Sequence, residues 1–559
     1  MSLLHPGLIL LLGGLLLGAL PARGRTAAIL VLPLASLGAL WMLPEGVLWH
    51  GEFLGVTVAP LVVDKLSRLF ATIFAIMAFG GGLFALRQQS RLEVPAAYIY
   101  AGSAISVVLA GDLATVFIFW ELMAIGSTLV IWSAGNEAAW RASRRYISVH
   151  LLGGVLLFAG ITGHLVQTGD LLFTRIALDS PAQWLILAGF LLNAGAPPLS
   201  AWLPDAYPEA SWSGMVFLSA FTTKTAVYVL LRGFPGTELL IWVGLFMAMY
   251  GIVYALLEND MRRILAYSIV NQVGFMVVGI GIGTEMALNG AAAHAFTHIL
   301  YKALLLMSAG AVLYQTGNRK CTDLGGLFRT MPLTCICGIV GALSISSFPL
   351  TSGFISKSMI SEAASHEHLA FVWYMLAAGS AGVFLHAGIK FPWFVFFQRD
   401  SGLRPSDPPW SMRIAMILLA VACIGLGVMY EPLYALLPYA VDYQPYTAPH
   451  VLLYLQLLLF SGLAFFVMLN FLRRTLTITL DVDWFYRVPA QAFARSFERL
   501  LAIVRGEFGT VLSAMGGRTH RVLDRWIGAD GALARTMSTG RMAFWLVVML
   551  AGYLVTAYW

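Results

Sequence analysis

The stretch that decides the fold is DLATVFIFWELMAIGSTLVIWS, residues 112–133, an apolar run with a glutamate near its centre. About 20 predominantly apolar residues are enough to cross a bilayer as one helix. A charge at the middle of such a helix costs roughly 2.5–3.5 kcal/mol, so Glu121 is expected to face a polar interior. The sequence therefore predicts a membrane protein with charged groups inside it, and ion translocation is the first hypothesis.

The composition of the whole chain agrees with this interpretation. Of its 559 residues, 59% are hydrophobic and 11% are charged, whereas about a quarter are charged in soluble domains. Continuous apolar runs do not fit the alternating strands of a membrane β-barrel. We predict an all-α polytopic bundle of about 14–16 transmembrane helices, with the start of the chain as a first span and not a cleaved signal. The formal net charge of +6 is modest and does not indicate nucleic acid as a partner.

Sixteen candidate spans can be delimited, and the loops between them alternate in basic charge. They are residues 5–21, 26–46, 62–86, 96–110, 112–133, 145–166, 182–203, 212–233, 238–257, 264–283, 289–315, 333–360, 369–397, 411–430, 451–472 and 541–558. One set of loops holds about sixteen Lys and Arg, whereas the other holds little beyond Arg175 and Arg232. By the positive-inside rule this places the N-terminus outside and residues 474–540 in the cytoplasm of a bacterial cytoplasmic membrane.

Two of the predicted spans are interrupted. The seventh contains Asn193-Ala-Gly-Ala-Pro-Pro198 and the twelfth contains Ser346-Ser-Phe-Pro-Leu-Thr-Ser-Gly353. Broken helices at matching places in two halves indicate inverted repeats of the kind found in transport proteins. We therefore predict two inverted five-helix repeats. The full division is 1–95 N-terminal helices, 96–233 first repeat, 238–397 second repeat, 411–473 C-terminal helices, 474–540 cytoplasmic-side segment and 541–559 terminal anchor.

The cytoplasmic-side segment differs from the rest of the chain. From about residue 484 to 530 it mixes apolar and basic residues, as in Phe493-Ala-Arg-Ser-Phe-Glu-Arg-Leu-Leu501. This pattern is typical of an amphipathic helix that lies at the membrane interface. The expected roles are a lateral brace over a neighbouring subunit or a surface linker before the last span.

Ionisable residues within the spans are the candidate proton-transfer groups. Glu121 needs a cation on another helix or a proton, and Lys224, among the hydroxyls of Thr222, Thr223 and Thr225, is its natural partner. A buried lysine exchanges protons more readily than an exposed one.

A second group of candidates lies further along the chain. His294, His298 and Lys302 are spaced i, i+4, i+8 and so share one face of a helix. This pattern favours a proton relay over a metal site, because two histidines lack a third ligand. Lys357 follows the break in the twelfth span, and Lys390 stands either at the end of a relay or at the membrane interface.

The chain shows no motif for a cofactor or metal. Cys335 and Cys337 lie one residue apart in an apolar run, unlike the two-residue spacing of zinc, iron–sulfur or redox sites. We expect no cofactor and no metal, and no redox or hydrolytic site of the chain's own.

Five segments resemble the antiporter-like subunits of respiratory complex I, and most closely the D-type subunits of Mrp-type multisubunit sodium/proton antiporters. They are FWELM (119–123), AWLPDA (201–206), TKTAVY (223–228), RILAYS (263–268) and YKAL (301–304). The resemblance covers roughly residues 60–400. It implies a mid-membrane polar axis in which Glu121, Lys224, Lys302 and Lys357 match the family's charged positions on the fifth, eighth, eleventh and twelfth helices.

One position departs from the family pattern. Nine residues before Trp202, where the family usually has lysine, this chain has Asn193. Asparagine binds water or an ion but carries no proton. Two alternatives follow for the first half: Lys224 serves as the partner of Glu121, or the first half works differently, as a cation route.

The sequence therefore predicts that this chain is one subunit of a larger hetero-oligomeric membrane complex. The subunit moves protons in exchange for sodium or another monovalent cation. The alternatives are a proton-pumping arm of a complex I-like or hydrogenase-like redox complex, and a carbon-dioxide-hydrating complex. A lone transporter of an organic solute is a third class.

Overall fold

The computed structural model describes residues 4–53, 55–471, 481–489 and 539–558, with residues 492, 495, 496 and 499. Residues 1–483 form one compact unit and residues 484–559 a second. In the described part of the first unit, helices and a single hairpin follow one another along the chain.

The first half contains ten helices and two strands among the described residues. They are α1 Pro6–Leu17, α2 Ala22–Met42, β1 Gly46–Phe53, β2 Val56–Val63, α3 Lys65–Phe84, α4 Glu93–Leu109, α5 Leu113–Trp132, α6 Glu137–Thr168, α7 Pro181–Ala194, α8 Trp202–Ala206, α9 Gly214–Ala220 and α10 Thr222–Gly233.

The remaining helices are α11 Leu239–Leu257, α12 Met261–Ile282, α13 Glu285–Thr316, α14 Pro332–Ile345, α15 Ser352–His366, α16 Ala370–Val383, α17 Trp410–Val428, α18 Glu431–Ala435, α19 Ala448–Val467, α20 Asp483–Arg487 and α21 Thr539–Tyr558. After α16 the chain continues as two π-helical segments, Phe384–Lys390 and Trp393–Phe397. A π-helix widens the turn and commonly marks functional sites.

The predicted helical membrane bundle is confirmed. Within the described residues, twelve helices are long and apolar enough to span a membrane, and four shorter apolar helices accompany them. Each of the sixteen predicted spans overlaps one of these helices. The inverted relation of the two repeats, the finer domain boundaries and the membrane orientation stay predictions.

Two of the most buried apolar windows carry candidate ionisable residues. The window 214–233, which includes Lys224, is 100% buried and that of α13, which includes Lys302, is 94% buried, whereas α19 is only 17% buried. An apolar helix that leaves most of its side chains exposed needs an apolar surrounding, which a bilayer provides. Charged side chains of the central helices are thereby kept away from lipid.

A β-hairpin was not predicted by the sequence. Strands β1 and β2 pair antiparallel, from Gly46 with Val63 to Phe53 with Val56. The predicted third span, residues 62–86, overlaps only the last two residues of β2, and its helix begins at Lys65. Asp112 anchors the hairpin to α5, because one carboxylate oxygen accepts from the Ala59 amide at 2.9 Å and the other from Thr115 N at 2.7 Å.

Both predicted helix breaks are present. Helix α7 ends at Ala194 with Gly195 in the left-handed conformation (φ 79°), and the chain resumes helix at Trp202. Helix α14 ends at Ile345, and α15 begins at Ser352. Proline and the positive-φ residues between the halves prevent continuous i to i−4 hydrogen bonding. The freed carbonyls at these ends are therefore available to side chains.

In the second compact unit, the structure describes the last helix, α21, and most of α20. Most of the predicted amphipathic segment lies outside the described residues. The lateral brace therefore stays a prediction.

Candidate functional site

Six of the seven predicted proton-transfer residues, Lys390 among them, are fully buried, and five of the six lie close together. Lys224, His294, His298, Lys302 and Lys357 are each 0% exposed. His298 is central among them, because all four of the others are close enough to act on its charge. A hydrated or hydrogen-bonded interior is the environment that such groups require in a membrane.

Lys224 lies beside a helix break that the sequence did not predict. The eighth span is divided at Phe221 (φ −102°, ψ −67°) into α9 and α10. Lys224 Nζ donates across the division to the Ser219 carbonyl at 2.8 Å and also to Thr223 Oγ1 at 3.1 Å. The ammonium therefore faces the carbonyl end of α9, where a cation is stabilised by the helix dipole.

Lys357 has the same relation to the break between α14 and α15. Its Nζ donates to the carbonyl of Ile345, the last residue of α14, at 3.3 Å. The ammonium also lies 4.6 Å from the centre of the Phe275 ring, a cation–π contact that favours charge. A lysine on the second half-helix thus reaches the carbonyl end of the first half-helix at two separate breaks.

Lys302 donates its hydrogen bonds to an unbroken helix and not to the end of a half-helix. Its Nζ donates to Ser268 Oγ at 2.9 Å and to the Leu265 carbonyl at 3.3 Å, both on α12. One turn earlier on α13, neither ring nitrogen of His298 has a hydrogen-bond partner among the described residues. His298 therefore has its hydrogen-bonding capacity available for a proton or water between Lys302 and Lys224.

His294 belongs to a connected polar network. Its Nδ1 lies 3.2 Å from Ser356 Oγ and its Nε2 lies 3.2 Å from Gln272 Oε1. Ser356 Oγ is 2.8 Å from Thr297 Oγ1, and the Tyr301 hydroxyl donates to Gln272 Oε1 at 3.2 Å. The ring of His294 is 6.1 Å from that of His298, centre to centre. The polar face of α13 that carries His294, His298 and Lys302 thus contacts Ser356, the residue before Lys357 on α15.

Lys390 is tied to a helix end. Its Nζ donates to three carbonyls at the end of α11, those of Ala255, Leu256 and Glu258, at 2.5, 2.7 and 2.8 Å. Three charge-assisted hydrogen bonds to a helix C-terminus are typical of a capping role. Of the two alternatives left open by the sequence, this geometry favours an anchoring position at the end of a helix.

Glu121 is placed differently from the other candidates. It is half-buried on α5, beside Gly154 of α6, and its Oε1 has no hydrogen-bond partner among the described residues. The structure shows no ion pair between Glu121 and Lys224 among the described residues, and the lysine donates to Ser219 and Thr223. The positions of Glu121 on α5 and Lys224 on α10 are set by how these helices pack. The sequence pattern gives no information on the distance between the two side chains.

Two buried histidines escaped the predicted set. His386, on the π-helical segment, has neither ring nitrogen paired among the described residues and lies within reach of Lys302, Lys357 and Lys390. His150, on α6, is likewise unpaired there and lies beside Asn193. Each is a single histidine in an apolar helix, so spacing alone gave little reason to select it.

The cysteines and acidic residues form no metal cluster in the part of the chain that the structure describes. Cys321, Cys335, Cys337 and Cys423 are buried.

The fold and the buried row of lysines and histidines define a class of protein, a polytopic membrane subunit with a titratable interior. Residues 110–384 match the family described as NADH:quinone oxidoreductase/Mrp antiporter, TM. This part of the chain belongs to the family of antiporter-like membrane subunits.

Similar proteins include two antiporter subunits. The chain is 30% identical over 401 residues to the A/B subunit of a probable K+/H+ antiporter of Rhizobium meliloti, covering 66% of this chain and 40% of that protein. It is 29% identical over 415 residues to the D subunit of a Na+/H+ antiporter of Alkalihalophilus pseudofirmus, covering 68% of this chain and 83% of that protein. The chain thus spans less than half of the first relative and most of the second.

A solved structure has the same fold over nearly the whole chain. A chain of the membrane-bound sulfane sulfur reductase, an archaeal respiratory membrane complex, superposes with a TM-score of 0.72 at 24% identity and 99% coverage of both chains.

Proposed function

We propose that this chain is an ion-translocating component of a multisubunit complex in the bacterial cytoplasmic membrane. It moves protons through Glu121 and along the buried row formed by Lys224, His298, Lys302 and Lys357, in exchange for a monovalent cation, with sodium the first candidate. Other membrane subunits and the lipid bilayer are its partners. The observation that carries the proposal is that three lysines and two histidines share one fully buried region.

The chemistry of the row suits proton transfer. Histidine takes up a proton on one ring nitrogen and releases one from the other. A desolvated lysine becomes able to give up its proton, which an exposed lysine does not do at neutral pH. His298 has no competing hydrogen bond among the described residues. Protons can therefore pass between lysines whose own positions are fixed by helix-end carbonyls and hydroxyls.

The exchange of a cation rests on the relatives. Both antiporter proteins are named for exchange of protons against sodium or potassium. Hydroxyls and carbonyls at the helix breaks are oxygen ligands of the kind that hard cations prefer.

The test uses the whole complex in proteoliposomes with a sodium gradient and an internal pH dye. Lys224→Ala or Glu121→Ala is expected to abolish proton movement while copurification with the other subunits survives, because the route then lacks one of its proton acceptors. The matched control is Lys320→Ala, which removes an exposed lysine and should leave transport unchanged. Normal proton movement in an assembled Lys224→Ala complex would refute the proposal.

The copurifying subunits decide between the alternatives. Iron–sulfur subunits would favour a redox-driven pump, and a zinc subunit would favour a carbon-dioxide-hydrating complex. Antiport by the purified single chain would favour a lone transporter.

A further inference from the structure

One turn of α6 brings together three polar side chains in the first half of the molecule. Gly153 and Gly154 leave that surface without side chains. Asn193 Oδ1 lies 3.6 Å from where a Cβ of Gly153 would stand, and Glu121 Oε1 lies 2.2 Å from where a Cβ of Gly154 would stand. His150 precedes the two glycines by three and four residues, on the same face of the helix. The helices α5, α6 and α7 therefore direct one polar group each toward a common region.

The polar atoms of this region are not satisfied by the described protein. Among the described residues, no hydrogen-bond partner is found for either ring nitrogen of His150, either amide atom of Asn193 or Glu121 Oε1. His150 and Asn193 are each only 1% exposed. A buried polar group without a partner destabilises a protein, and native structures normally avoid it. Such unused capacity on three helices indicates a site for a mobile polar species.

The ring of His150 is fixed by aromatic packing. Its centre lies 4.1 Å from that of Tyr146 and 4.7 Å from that of Trp202. Trp202 Nε1 donates to the Leu192 carbonyl at 3.0 Å, which connects this packing to the broken end of α7. The histidine is thus held in place by its faces, while its nitrogens remain available.

A hydroxyl cluster continues from His150 toward Lys224. The rings of Tyr146 and Tyr207 lie 6.3 Å apart, and Tyr207 is close to Thr222. The hydroxyls of Thr222 and Tyr100 are 2.5 Å apart. Thr222 is two residues before Lys224, so the hydroxyl cluster ends on the helix that carries this lysine.

We propose that His150 is the proton carrier of the first half, passing protons between Glu121 and the hydroxyl cluster that leads to Lys224. The imidazole accepts a proton on one nitrogen and releases one from the other, so its net charge is restored after each transfer. Asn193 lies beside the ring and supplies an amide that binds water or the imidazolium without carrying a proton. This inference rests on the proposed function.

The test is a pair of substitutions measured in the reconstituted complex. His150→Gln retains hydrogen bonding but cannot carry a proton, and is expected to reduce proton movement by about 10²-fold. Adding Asn193→Lys to that variant supplies an ammonium in the same region and should restore a large part of the loss. The matched control is His164→Gln, since His164 is a partly exposed histidine of the same helix, 3.2 Å from Gln183 Nε2, and should behave as wild type.

The outcomes separate this inference from the proposed function. Wild-type proton movement in an assembled His150→Gln complex, with Lys224→Ala inactive, would overturn the role of His150 alone. Failure of the double variant to exceed His150→Gln, with both assembled, would also overturn it. Should His150→Gln fail to assemble, His150→Asn is judged by the same criteria. Wild-type proton movement in Lys224→Ala would instead remove the proposed function itself.

Discussion

The polar groups beside the two predicted helix breaks differ in how they are hydrogen-bonded. In the second half, His294 is connected to Ser356 and Gln272, and Lys357 to the Ile345 carbonyl. In the first half, His150 and Asn193 have no partner among the described residues. The comparison teaches that a preformed network and an open polar region can each lie beside a broken helix. The first is organised before an ion arrives, whereas the second depends on what enters it.

Substitutions of the glycines beside these two regions are expected to have the largest effect on assembly of the complex. A Cβ at Gly353 would overlap the Ser344 carbonyl oxygen, which is backbone, whereas a Cβ at Gly154 would meet the movable end of Glu121. Overpacking costs about 1–3 kcal/mol, and more where backbone must shift. Gly353→Ala is therefore expected to prevent assembly, and Gly154→Ala to assemble. The yield of copurified complex measures both, and a greater loss for Gly154→Ala would contradict the comparison.

The next effect concerns Lys302 in the organised half. Lys302→Ala is expected to reduce proton movement by about 10²-fold, because the polar contacts with Ser268 and Leu265 then have no proton-carrying group between them. Complex assembly should survive. Proton flux in proteoliposomes is the measurement, with the exposed Lys65→Ala as control. A rate within about twofold of wild type, well short of the loss expected for a proton-transfer group, would show that the row does not need this lysine.

The smallest expected effect is at Lys390. Lys390→Met removes a cation from three carbonyls at the end of α11, a loss of about 1–2 kcal/mol. The thermal midpoint of the purified complex should fall by a few degrees, while proton movement stays near the wild-type rate. Complete loss of transport with an unchanged midpoint would place Lys390 in the relay instead of at an anchor.

Length and apolarity were enough to predict the helices, because spans such as α5 depend on local composition. The breaks after Ala194 and Ile345 were predictable from proline and glycine. The break at Phe221 was not, since the surrounding Ser219-Ala-Phe-Thr222 contains neither residue. Its geometry depends on tertiary packing.

The candidate site was predicted in part. The buried lysines could be identified from sequence because charge is rare in apolar spans. The separate placement of Glu121 and Lys224 and the region around His150 depend on distances between helices that are remote in sequence. Spacing along one helix predicts a shared face, but not which side chain of another helix lies opposite.

The lysines at the two helix breaks join proton chemistry to mechanics. When Lys224 or Lys357 gives up its proton, the amine keeps two N–H donors, but the charge facing the helix-end carbonyls disappears. We expect the junction between the half-helices to loosen at that moment and to tighten on reprotonation. The stiffness of each junction, α9–α10 or α14–α15, then depends on whether its own ammonium is charged, so that a single proton drives a movement of the helices.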